Sequence, residues 1–145
     1  GTPLACLMID VDHFKRVNDE YGHLTGDGVL SQVARRIDAE VRSSDVSARY
    51  GGEEFIIVLP GTDAGAGRAL AERIRRAVAA ETFRLSSGGS LDVTVSIGVA
   101  ELAAGPGRRD GSPAEAGEAL IATADRALYA AKAGGRNLVV VADQD

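Results

Sequence analysis

The stretch from Leu4 to Asp10, LACLMID, constrains the fold more than any other: an unbroken apolar run without alternation, closed by a carboxylate. Such a run is the pattern of a central β-strand buried on both faces. Its terminal acid needs a partner, because an unpaired carboxylate at the edge of a core is costly. The stretch RYGGEEFIIVLP, residues 49–60, poses the same problem twice over. Gly51 and Gly52 permit the positive φ angles of a tight two-residue hairpin, and Phe55 to Leu59 read as a buried strand leaving it. Glu53 and Glu54 then stand side by side at the root of that strand, where repulsion and desolvation both oppose their charge.

The rest of the chain alternates strand and helix signals. Asp12 reads as the cap of a short helix on which Phe14, Val17 and Tyr21 keep helical spacing, and Gly22 ends it. Val29, Leu30, Val33, Ile37 and Val41 share one stripe of a second helix. DVSARY and EFIIVL flank the glycine turn, and a helix running from near Asp63 to Phe83 carries Leu70, Ile74 and Val78 inward. Residues 91–102 are rich in β-branched types and predict one strand, while 103–113 form a loop by their Gly and Pro content. A last helix over 114–133 stops at Gly134 and Gly135, and NLVVVA returns as a strand. The order βααββαβαβ predicts an α+β domain, with segregated helices over a mainly antiparallel sheet around a ferredoxin-like core. Residues 1–145 make one domain, of a size that buries roughly 68% of its unfolded surface.

The net charge of −5 argues against non-specific nucleic-acid or membrane binding, yet leaves room for an anionic ligand held by local cations or metal ions. No apolar run approaches the roughly 18 residues of a membrane span. Cys6, the single cysteine, lies inside the first apolar run and reads as a small core residue of a protein kept in a reducing, cytoplasmic compartment. The first strand begins almost at once, the pattern of a domain cut from a longer protein.

With the first strand beside the hairpin, Asp10, Asp12, Glu53 and Glu54 would converge. Hard oxygen donors without cysteine or clustered histidine suit Mg²⁺ or Mn²⁺. Strand alternation sends Glu53 and Glu54 to opposite faces, so a shared site requires the turn to distort the strand. The plainer reading makes Asp12 a helix cap and leaves one glutamate solvated on a loop.

MIDVDHFKRVNDEYGHLTGD, ARYGGEEF, TVSIGVA and ADRALYAAKAGGRN occur in this order, and together they resemble the GGDEF family of diguanylate cyclases. The resemblance spans nearly the whole chain. It implies an adenylyl-cyclase-like fold related to polymerase palms, and the condensation of two GTP into cyclic di-GMP with release of two pyrophosphates. It also implies two Mg²⁺ or Mn²⁺ ions per active site and a second GGDEF domain facing the first, with neither nucleic acid nor membrane as a partner.

By the same resemblance Asp10 is the principal metal ligand with the Val11 carbonyl beside it, Glu53 is a metal ligand and candidate base for the ribose 3′-hydroxyl, and Glu54 is a further ligand. His13 and Phe14 begin a helix whose N–H groups receive the β- and γ-phosphates, and Lys15 stabilises charge at the transferring phosphoryl group. Lys132 and Arg136 resemble a triphosphate clamp; their bland alternative is a pair of cations at a helix C-terminus. Asn18 and Asp27 match guanine-reading positions, an aspartate accepting from N1–H and N2–H₂ together and so favouring GTP over ATP. The alternative is a turn asparagine and an N-terminal helix acid. Leu30 floors the base or is simply core, and His23 buttresses the turn between the helices.

RSSD, Arg42 to Asp45, matches the family's RxxD product-inhibition site, with Arg73 as a second arginine; a surface ion pair is the alternative. The sequence departs from the family pattern in carrying Glu53 where the motif's name has Asp, and in lacking the usual leading helix and any sensory or dimerising segment. A non-catalytic receptor for GTP or cyclic di-GMP, or another palm-type nucleotidyl transferase, are the competing functions. The receptor predicts erosion of the metal- or base-reading residues, and none is eroded.

Overall fold

The computed structural model of the chain describes residues 1–104 and 111–143. Its elements are β1 (Leu4–Val11), α1 (Phe14–Tyr21), α2 (His23–Asp38), β2 (Val46–Arg49), β3 (Glu54–Pro60), α3 (Ala64–Ala80), β4 (Phe83–Arg84), β5 (Ser90–Leu91), β6 (Val95–Leu102), α4 (Pro113–Ala133) and β7 (Val139–Val141). Five strands form one sheet in the order β2-β3-β1-β6-β7, antiparallel except for the parallel β6–β7 pair. This is the α+β arrangement expected, with β1 central and the hairpin strand β3 directly beside it.

Strand β1 serves two cores because its side chains alternate. Ala5, Leu7, Ile9 and Val11 enter the larger cluster with residues of α1, α2 and α3, while Cys6 and Met8 pack with Leu120, Ala124 and Leu128 of α4. The helices therefore cover both faces of the sheet and are not segregated on one. Burial pushes the Cys6 thiol up to about 11, which keeps it an unreactive core group. Gly98 on β6 lets α4 approach closely: a Cβ there would lie 2.2 Å from both the Ala124 carbonyl oxygen and the Leu128 nitrogen.

Most helix limits follow their signals. Gly22 ends α1 at φ 89°, Asp63 caps α3 by accepting from the Ala66 N–H at 2.8 Å, and Ser112 with Glu115 forms a capping box at the start of α4. Arg36 of α2 closes the far end of α3, donating to the carbonyls of Val78 (2.8 Å), Glu81 (2.8 Å) and Thr82 (3.2 Å) with its guanidinium over the Phe83 ring. Val41 lies beyond the end of α2 and packs half-buried against the core.

Three further expectations fail. The strand expected over 91–102 begins only at Val95, because Ser90 and Leu91 pair with Phe83 and Arg84 in a separate two-stranded ribbon absent from the βααββαβαβ order. The glycine turn is not a two-residue hairpin: β2 ends at Arg49 and β3 starts at Glu54. Tyr50 and Gly51 N–H both aim at the Glu54 carbonyl, at 2.8 and 3.4 Å, and neither Gly51 nor Gly52 has a positive φ. Asp12 does not cap α1; the N-cap is His13, at φ 56° and without a side-chain cap. The loop expected over 103–113 lies partly outside the described residues.

Candidate active site

Asp10 is the next even position of β1 after Met8, so it follows Cys6 and Met8 onto the face of α4. There Lys132, in the last turn of that helix, donates to its Oδ2 at 2.5 Å, with the Asp10 side chain 4% exposed. Asp10 also pairs in register with Glu54, and the Val11 N–H donates to the Glu53 carbonyl at 3.2 Å, which brings both glutamates to the same end of β1. The wide four-residue turn, with two N–H groups on one carbonyl, is the distortion that a shared site requires.

The electrostatics are those of acids short of positive charge. Burial first, then the charge of Asp10 and a hydrogen bond with it, push the Glu53 carboxyl above the ordinary glutamate range; Lys132 offsets part of this. Glu54 is raised by burial, then by Asp10 and by Asp125 of α4, again against Lys132. Three carboxylates served by one lysine are a donor set that fits a hard divalent cation. Among the described residues no three His, Cys, Asp or Glu side chains are grouped as a ready-made metal cage.

A cleft of about 800 Å³ opens over this end of β1, lined by Asp10, Glu53, His13, Lys15, Lys132 and Arg136 among others. Its floor includes the start of α1, whose first N–H groups have no intrahelical acceptor and no side-chain cap. Arg136, which lines the cleft, and its neighbour Asn137 have φ 63° and 45°. Consecutive left-handed residues other than glycine cost on the order of 1–3 kcal/mol each, and such strain concentrates at functional sites. The helix ends in a 6→1 bond from the Arg136 N–H to the Ala131 carbonyl at 3.1 Å.

Asp12 is not a member of the carboxylate group. Its Oδ1 accepts from Ser96 Oγ at 2.6 Å, and its Oδ2 from Thr94 Oγ1 at 2.7 Å and the Asn137 N–H at 2.9 Å. Of the four acids expected to converge, Asp12 is instead consumed by β6 and the α4–β7 turn, while Asp10, Glu53 and Glu54 share one end of β1. Sequence spacing carries no sign of partners that lie 82 to 125 residues away.

Asn18 lies on α1 and Asp27 on α2, either side of the Gly22 joint, and neither lines the main cleft. The Asn18 Oδ1 atom is buried with no hydrogen-bond partner among the described residues, and rests where a Cβ on Gly26 would collide with it. Leu30, 2% exposed, belongs to the larger core, and His23 is the exposed first residue of α2.

Arg42 and Asp45 form a self-contained clasp. The Arg42 N–H and Nε reach Asp45 Oδ2 at 2.9 and 3.3 Å, its Nη2 reaches Oδ1 at 2.9 Å, and the same guanidinium donates to the Pro60 carbonyl and Thr62 Oγ1. Burial opposes the Asp45 charge, yet the Arg42 hydrogen bonds and charge outweigh it and hold the carboxyl below its usual range. The Asp45 side chain is 1% exposed and that of Arg42 59%. Arg73 pairs with Glu40 at 3.5 Å.

The family model described as diguanylate cyclase, GGDEF domain, matches residues 1–138. Diguanylate cyclase DgcP of Pseudomonas aeruginosa is 44% identical over 142 residues, 98% of this chain and 20% of its own length. The response regulator PleD of Caulobacter vibrioides is 44% identical over 141 residues, 97% of this chain and 29% of its own. The chain thus spans well under half the length of these curated relatives. Among solved structures, the GGDEF domain of DgcB from Caulobacter crescentus in complex with c-di-GMP superposes with a TM-score of 0.86 at 38% identity, covering 99% of this chain and 80% of that one. The active GGEEF domain of a diguanylate cyclase from Vibrio cholerae gives 0.83 at 35% identity, with 99% and 85% covered. With the match running from residue 1 to 138 and the fold shared along nearly the whole chain, the protein belongs to the GGDEF, or diguanylate cyclase, domain family.

Proposed function

We propose that the protein condenses two GTP into cyclic di-GMP, releasing two pyrophosphates, at a site formed between two facing copies. The observation that carries this reading is the cleft at the end of β1, whose lining brings Asp10 and Glu53 together with Lys15, Lys132 and Arg136. Asp10, Glu53, Glu54 and the Val11 carbonyl would hold two Mg²⁺ or Mn²⁺, ions that characteristically complete their shells with water and substrate phosphates. Bound there, the ions neutralise the acids and stabilise the attacking and leaving oxygens of an in-line displacement.

The chain's own groups do the rest. Glu53 is the candidate base for the ribose 3′-hydroxyl. The free N–H groups at His13, Phe14 and Lys15 receive the β- and γ-phosphates, and the Lys15 ammonium faces the charge that builds at the phosphoryl group in transfer. Lys132 and Arg136 clamp the triphosphate. Asn18, with its unpartnered Oδ1, and Asp27 read guanine, while Leu30 backs the helix pair from the core. Gly51 and Gly52 need no positive φ and meet no close obstacle, so what they supply is room for a ligand or a partner against the turn.

Each copy carries one nucleotide site while the product contains two equivalent bonds, which calls for a two-fold pair of domains. Arg42, Asp45 and Arg73 form the product-inhibition site; there the Arg42 fork exchanges its Thr62 and Asp45 contacts for guanine or phosphate. The working compartment is the cytoplasm, where GTP is supplied, and no helix among the described residues is long and apolar enough to cross a membrane. The test is incubation of a coiled-coil fusion with GTP and Mg²⁺ and identification of the product by mass. GTP returned unchanged by a folded, dimeric fusion refutes the reading.

A further inference from the structure

We propose that Arg75, acting through Asn137, is a positioning residue that holds Arg136 in the phosphate cleft. The inference rests on the reading of Arg136 as a phosphate-binding group. Arg136 and Asn137 sit at φ 63° and 45°, a conformation that the backbone alone disfavours. Two contacts from distant elements fix it, and both fall on Asn137. The Asp12 Oδ2 atom accepts its N–H at 2.9 Å, and Arg75 Nη1 of α3 donates to its Oδ1 at 3.0 Å.

Each anchor is itself held. Asp12 is 7% exposed and has both carboxylate oxygens engaged by Thr94 and Ser96. The Arg75 fork is aimed by Glu72, whose Oε2 accepts from Nε at 3.2 Å and Nη2 at 2.9 Å, leaving Nη1 for Asn137. The neighbouring Leu138 carbonyl is tied to the Ile97 N–H at 3.0 Å, so the segment is pinned on both sides of its strained pair. Arg75 itself does not line the cleft. Among the described residues its one reach toward the site is Asn137, which makes the guanidinium of α3 a lever on the guanidinium that meets phosphate. A group misplaced by about 1 Å loses much of its value to a bound ligand, so an anchor outside the site has a measurable effect inside it.

The test compares Arg75→Met, Asn137→Gly, Arg136→Ala and the Arg75→Met/Arg136→Ala double variant with the parent. Met keeps the apolar stem and removes the donors; Gly keeps the left-handed backbone and the N–H to Asp12 while removing the Oδ1 acceptor. Arg76→Met is the control, an exposed neighbour that also approaches Glu72, at 3.9 Å. Affinity is read by calorimetric titration with a GTP analogue carrying a methylene bridge between the α- and β-phosphates, and separately with GMP; urea midpoints report folding.

Arg75→Met and Asn137→Gly are expected to weaken analogue binding by roughly threefold to tenfold. GMP affinity and the Arg76→Met variant should stay at parental values, and the double variant should bind no worse than Arg136→Ala alone. Parental analogue affinity in both Arg75→Met and Asn137→Gly, or a full additive loss in the double variant, overturns the positioning role. An equal loss for GMP also overturns it, since a general disturbance of the fold would not single out the β- and γ-phosphates. If Arg136→Ala leaves the analogue's affinity unchanged, the phosphate-binding reading of Arg136 is what has failed.

Discussion

Gly98→Ala adds one methyl group to the middle of β6 and is expected to be among the most damaging small substitutions in the chain. The new Cβ would stand 2.2 Å from the Ala124 oxygen, 2.2 Å from the Leu128 nitrogen and 2.9 Å from the Ala127 carbonyl carbon. All three are backbone atoms of α4, so no rotamer change relieves the clash. To restore ordinary contact the helix has to withdraw by roughly 1 Å, a gap that forfeits a quarter to a half of each dispersion contact across it. The face that opens is the cluster of Cys6, Met8, Ala100, Leu120, Ala124 and Leu128. Overpacking alone costs about 1–3 kcal/mol, and lifting a helix off its core brings the expected loss to about 3–5 kcal/mol. That outweighs the ~0.5–1 kcal/mol by which alanine improves on glycine inside a strand. Gly67→Ala is the matched control on α3: its Cβ would meet the Val99 Cγ1 at 3.2 Å and the Ala5 Cβ at 3.4 Å, longer contacts and with side-chain atoms in place of backbone. There the helix gains ~0.8–1.0 kcal/mol of propensity, so the net change should lie within about 1 kcal/mol of zero. Urea denaturation of the three proteins, with the slope checked for constancy, reads both effects. A Gly98→Ala loss below about 1 kcal/mol, or one matched by Gly67→Ala, refutes the argument that backbone contact is what excludes a side chain here. Because α4 carries Lys132, a folded Gly98→Ala protein should also lose turnover, by about 10²-fold.

Asp10→Asn should abolish turnover while circular dichroism shows the fold intact; near-parental turnover would remove Asp10 from the site. Glu53→Gln should abolish turnover yet raise the melting temperature, since the folded state disfavours this charge and a neutral amide relieves it; an unchanged or lower melting point refutes the electrostatic reading. Arg36→Met should cost about 2–3 kcal/mol in urea titrations, through three lost carbonyl bonds and the stacking on Phe83. Asp45 has a lowered folded pKa, so its pairing stabilises above the unfolded carboxyl's pKa and fades as pH falls through the lowered value; Arg42→Ala should therefore destabilise the fold at neutral pH and flatten this acid dependence, and parallel pH–stability curves for the two proteins would contradict it. Specific activity of the isolated chain should rise with protein concentration, as measured by pyrophosphate release, and constancy in a demonstrated monomer would exclude the facing pair.

What the sequence made legible is what local pattern encodes. LACLMID had to be a strand buried on both faces, and with the hairpin beside it the meeting of Asp10 with Glu53 and Glu54 followed from register. Gly22, Asp63, Gly134 and Gly135 marked helix limits through their own backbone chemistry. The failures share a different cause. The four-residue turn at Tyr50–Glu53 looked like a two-residue hairpin because adjacent glycines permit positive φ without requiring it. Phe83–Arg84 and Ser90–Leu91 pair over only two residues each, too few for any alternation to show.

Asp12 shows where reading from pattern runs out. An acid just before a helix is the ordinary sign of an N-cap, and the left-handed backbone at His13 breaks that geometry by turning the chain between Asp12 and the helix. Released from capping, the carboxylate finds Thr94, Ser96 and the Asn137 N–H, none of them near it in the sequence. The acid proposed to bind metal and the acid that anchors the Arg136 turn are thus two residues apart on one strand end, yet they face opposite demands. Asp10 has to stay open toward the cleft with a single lysine against it, while Asp12 has to be saturated so that the turn carrying Arg136 does not drift. Exchanging their surroundings would defeat both: a saturated Asp10 could not take a cation, and an open Asp12 would leave the strained pair at Arg136 and Asn137 without its inner anchor.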